Sequence, residues 1–61
     1  MPFIRIEMLD GRSKEQKKEI VEVLSHHLAR IANCRVDDVQ VVISEVNREN
    51  WAVGGVVQSD G

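Results

Sequence analysis

A single cysteine, Cys34, rules out an intramolecular disulfide, and one proline, one Phe, one Trp and no Tyr leave the chain without a stacking platform for bases. The net charge of −2 gives no basic footprint, so nucleic acid is excluded as a partner. Long apolar runs are missing too. The first residues, Met1-Pro2-Phe3-Ile4-Arg5-Ile6-Glu7, carry charges where a signal peptide would be apolar, and no stretch approaches a membrane span. A cytoplasmic protein with no membrane partner is expected. His26 and His27 are adjacent, about 100° apart on a helix, whereas two metal ligands on one face need a spacing of three or four. No metal is expected.

These absences bear on stability. A chain of 61 residues forms one domain, spanning 1–61, and a domain of about 60 residues buries only about 60% of the surface its unfolded chain exposes. Such chains use a disulfide, a metal or a partner subunit as a staple. With the first excluded and the second disfavoured, self-association remains.

What is present is ordered by period. From Phe3 to Leu9, Ile4, Ile6 and Met8 alternate with Arg5 and Glu7, the pattern of a strand that begins almost at the terminus. Asp10-Gly11-Arg12 breaks it, and Ser13-Lys14-Glu15-Gln16 fits a capping box, predicting a helix from Lys14. Ile20, Val21, Leu24, Leu28, Ile31 and Ala32 then form one apolar stripe over about five turns, opposite Lys18, Glu22, His26 and Arg30. Asn33 tolerates the left-handed conformation that ends a helix, and Val39 to Val46 reads as a second strand, apolar on both faces at its centre. A helix between two strands makes them parallel, and one helix covers one face only. The other face and the sheet edges must meet something, and symmetric self-association is the natural answer. Asn47 to Gly61, with Trp51, Gly54-Gly55 and Val56-Val57, reads as a short hairpin or docking arm.

Three features bear on chemistry. Pro2 is a good context for removal of Met1, which alone needs no catalytic reason. A mature N-terminal proline, however, carries a secondary amine whose pKa falls when it is desolvated beside a cation, making it a free base at neutral pH. With Met1 attached the nitrogen is an amide and has no basicity. Arg12 precedes a helix N-terminus, where anions are favoured and its planar fork suits a carboxylate; the alternative is a surface pair with Asp10. Trp51 lies outside an aliphatic core pattern, which favours a pocket wall or a subunit contact over the alternative of core filler.

Met1-Pro2 followed at once by a strand, Leu9-Asp10-Gly11-Arg12-Ser13-Lys14-Glu15-Gln16-Lys17 at the turn, Val41 to Val46, and Trp51-Ala52-Val53-Gly54-Gly55 resemble the 4-oxalocrotonate tautomerase family in order and spacing. The resemblance implies an α/β fold, a β-α-β protomer with parallel strands and a short C-terminal hairpin, assembling as a homohexamer with sites completed by neighbours. It implies a cofactor-free tautomerase acting on a small enol or 2-oxo acid. Pro2 would be the general base and acid, Arg12 would hold a substrate carboxylate, and Leu9, Gln40 and Trp51 would line the site. The family's second arginine is replaced here by Gln40, which supplies no charge; Arg35 and Arg48 are candidates to substitute for it. Two alternatives stay open: hydration or dehalogenation of unsaturated acids, and a non-catalytic oligomeric module that keeps the fold.

Overall fold

A computed structural model describes residues 1–60. Strand β1 (Phe3–Leu9) runs into helix α1 (Lys14–Ala32), which returns the chain to strand β2 (Gln40–Val46). The two strands are parallel, from Phe3 opposite Gln40 to Leu9 opposite Val46. A hairpin of β3 (Ala52–Val53) and β4 (Val56–Val57) follows. The β-α-β unit with a C-terminal hairpin is the fold expected from the sequence.

Local chemistry sets the boundaries. At the start of α1 the Ser13 Oγ accepts from the Gln16 amide at 3.1 Å, and Gln16 Oε1 accepts from the Ser13 amide at 2.9 Å, completing the capping box. At its end Asn33 takes φ 55° and ψ 54°, and the Cys34 amide donates to the Ala29 carbonyl. Val36–Asp38 forms a short 3₁₀ turn that absorbs Val39, so β2 begins at Gln40, one residue later than the pattern predicts. Gly54 and Gly55 both have positive φ, 61° and 83°, the signature of the type I′ turn whose twist suits a two-residue hairpin.

Helix α1 covers one face of the sheet. Ile4, Ile6 and Met8 share that face with Val41 and Ile43, and Lys17 reaches Glu45 at its end with Nζ to Oε1 at 2.7 Å. The helix side of this layer is Val21, Ser25, Leu28 and Ala29, all half-buried or buried. The single stripe expected from periodicity is therefore corrected. Leu24, Ile31 and Ala32 turn outward with Val23, and Ile31 is 70% exposed. An apolar arc wider than a two-stranded sheet cannot all lie against it.

The opposite face of the sheet, Phe3, Arg5, Glu7 and Leu9 beside Gln40, Val42, Ser44 and Val46, has no helix over it, and Phe3 is 51% exposed. Among the described residues only Ala29 is buried, and it is still 7% exposed. The radius of gyration is 14.5 Å, against about 10–11 Å for a compact chain of this length, and the extents are 43 × 24 × 13 Å. A slab one helix and one sheet thick exposes the apolar surface that a larger domain would enclose.

Candidate active site

The two parallel strands sort the predicted site residues to opposite ends of the sheet. Pro2, half-buried, immediately precedes β1, and its carbonyl accepts from the Gln40 amide at 3.1 Å. Pro2 and Gln40 therefore lie together at one end. Met1 is exposed.

Leu9 closes β1 at the other end, where the Asp10 amide donates to the Val46 carbonyl at 3.0 Å. Gly11, with φ 117°, turns the chain through a conformation that side chains rarely adopt, and Arg12 follows, exposed and one residue ahead of the Ser13 cap. Six strand steps separate Phe3 from Leu9, so the Pro2 and Arg12 ends are about 20 Å apart or more. Pro2 and Arg12 do not meet within one chain.

Arg12 has no ion-pair partner among the described residues; the expected surface pair with Asp10 is not formed. It lines the mouth of an open groove of about 470 Å³ with Gln16, Glu19, Ile20, Val23 and Leu24, along the outward side of α1. A second concavity, of about 340 Å³, lies between Asp10 and the Asn47-Arg48-Glu49 turn, with Ser59 beside it. Neither contains Pro2, Gln40 or Trp51.

Trp51 ends the 3₁₀ turn Arg48–Asn50 and is half-buried. Its carbonyl accepts from the Gln58 amide at 2.7 Å, which folds the C-terminal arm back on itself. Because this arm follows Val46, it leaves the sheet at the Leu9 end. One chain thus presents two half-sets, Pro2 with Gln40 at one end, and Leu9, Arg12 and the arm bearing Trp51 at the other. Of the two arginines proposed to replace the missing cation, Arg35 is paired with Asp37 at 2.9 Å on the surface, and Arg48 lies at the end away from Gln40.

The tautomerase enzyme family model matches residues 2–61. The chain belongs to the tautomerase family. This tautomerase is 43% identical over 56 residues to the 2-hydroxymuconate tautomerase of Comamonas testosteroni, covering 92% of this chain and 89% of that one. It is 41% identical to the Pseudomonas putida enzyme of the same name over the same shares. A heterohexameric 4-oxalocrotonate tautomerase from Chloroflexus aurantiacus has the same fold, with a TM-score of 0.94 at 38% identity, covering 98% of this chain and 97% of that one. This tautomerase is thus an isomerase of the 4-oxalocrotonate tautomerase type. No helix among its described residues is long and apolar enough to cross a membrane.

Proposed function

We propose that this tautomerase interconverts enol and keto forms of a small 2-hydroxy unsaturated acid, using the amine of Pro2 after loss of Met1. The amine takes the proton of the enol hydroxyl, and the resulting ammonium returns a proton to carbon, so the ketone forms with no net change in electrons and no cofactor. Arg12 of a neighbouring subunit binds the substrate carboxylate and favours the unprotonated amine, while Leu9 and Trp51 wall the pocket and exclude water. The assembly in this reading is a homohexamer, with each site built across chains.

The observation that carries the reading is the split of the half-sets across the sheet. An amine at one end of β1 and an arginine at the other, unpaired among the described residues, have no use for each other inside one protomer, but a second copy running antiparallel would bring them together. The relatives named above support the reaction class.

Gln40 bears on the substrate. A neutral hydrogen bond contributes about 1 kcal/mol where a charged one contributes about 1.5–3 kcal/mol. Diacids such as 2-hydroxymuconate are therefore weak substrates, and monoacid enols such as phenylenolpyruvate are preferred. The experiment compares two preparations separated by intact mass, one with Met1 and one beginning at Pro2, in an enol-to-keto assay. Only the Pro2 form is expected to be active; equal rates from both would remove the amine from the mechanism.

A further inference from the structure

Arg12 stands on a short turn whose shape its own packing does not set. Gly11 has φ 117° and nothing within 4 Å of where a Cβ would stand, so no neighbour fixes the turn from outside. Arg12 itself is exposed and forms no ion pair among the described residues. Its place is therefore set by the two elements that the turn joins.

On the strand side, the Asp10 amide donates to the Val46 carbonyl at 3.0 Å, which ties the exit of β1 to the last residue of β2. On the helix side, the capping box fixes Ser13 to Gln16, so Arg12 moves with the first turn of α1. One side chain holds that turn to the sheet. Lys14, Glu15 and Gln16 are exposed, and the apolar residues that α1 lays on the sheet begin at Val21. Lys17 alone in the first turn reaches back, its Nζ donating to Glu45 Oε1 at 2.7 Å. Among the described residues this is the only side-chain hydrogen bond between the helix and the sheet.

Stability does not account for the pair. Both side chains are 31% exposed, and pairs so exposed contribute little. A cation in the first turn also opposes the helix dipole. Position does account for it. Glu45 and Val46 are adjacent on β2, so the turn is clamped at both ends to one point, from which the chain continues through Asn47 into the arm that bears Trp51.

We infer that Lys17 and Glu45 are positioning residues for Arg12: their ion pair fixes the arginine against Leu9 and the arm bearing Trp51, so that a substrate carboxylate meets a preset cation. The inference rests on the proposed binding of the carboxylate by Arg12 and extends it to two residues with no part in binding.

In the processed protein, Lys17→Met keeps the apolar stem and removes the ammonium. KM for phenylenolpyruvate should rise about threefold or more while kcat stays within about twofold, because the carboxylate anchor is displaced and the Pro2 amine is not. Lys17→Arg, which keeps the charge, should restore most of the parent KM. The urea midpoint and the sedimentation of Lys17→Met should match the parent, since loss of a weak pair is offset by relief at the helix N-terminus. In an Arg12→Ala background Lys17→Met should add no further rise, as expected of two residues that act through one contact. A parent KM in Lys17→Met beside a raised KM in Arg12→Ala overturns the pair's role and leaves the carboxylate reading standing. A rise that persists in full without Arg12, or that comes with a lowered midpoint and lost assembly, makes the pair structural and overturns its role as well. A parent KM in Arg12→Ala removes the carboxylate reading itself, and the pair's role with it.

Discussion

Pro2 has its carbonyl committed to the Gln40 amide, which fixes the residue at the strand end while leaving its nitrogen as the variable group. The proposed chemistry then depends on what faces that nitrogen. Replacing Arg12 by Ala removes the carboxylate anchor, and KM for a monoacid enol should rise by about tenfold or more, as expected for loss of a charged hydrogen bond. Unchanged kinetics would take Arg12 out of the site. Replacing Gln40 by Arg supplies the missing charge, and kcat/KM for 2-hydroxymuconate should gain about tenfold, since about 1.4 kcal/mol corresponds to that factor. A loss for the diacid in the same assay would contradict the assigned role. Pro2 and Arg12 were singled out by residue type and position in the sequence, and Gln40 only through the family resemblance. Their separation to opposite ends of the sheet was not legible there, because it follows from the parallel pairing of Phe3 with Gln40 and Leu9 with Val46.

The elements are held by short-range chemistry at their ends and by little in between. The Ser13-Gln16 box, the left-handed Asn33 and the Gly54-Gly55 turn each depend on residues within four positions of one another, so they could be read directly from the chain. Ser13→Ala should lower stability by about 1 kcal/mol, measured by urea unfolding, through loss of one capping bond. A variant with unchanged midpoint would show that the cap is redundant within the assembly. Side-chain partners across elements were less legible. Lys17, in the first turn of α1 near the positive end of the helix dipole, pairs with Glu45 on β2, 28 residues away. Leu24 and Ile31 fitted the apolar stripe but lie beyond the edge of the sheet that was to cover them. Both outcomes depend on the helix's rotation over the sheet, which periodicity alone does not set.

The molecule as a whole is a slab in which Ala29 alone among the described residues is buried, so surfaces shared with other copies are the expected source of its stability. Phe3 and Val42 on the bare sheet face, and Val23, Leu24 and Ile31 on the outer side of α1, are the apolar area available for that purpose. The thermal midpoint should therefore rise with protein concentration, because dissociation accompanies unfolding. A midpoint independent of concentration over a hundredfold range, in a protein that sediments as a monomer, would contradict the account of its stability. In the proposed reading the same association brings amine and arginine together, so catalysis and folding would share one requirement. The most direct test of the central claim is the ketonisation rate of phenylenolpyruvate by the processed protein and by Pro2→Ala, compared at equal assembly. The account predicts that removing the secondary amine lowers kcat/KM by about a hundredfold or more, the scale of a general acid-base contribution, with the oligomer intact. A Pro2→Ala protein that assembles and turns over as fast as the parent would contradict it.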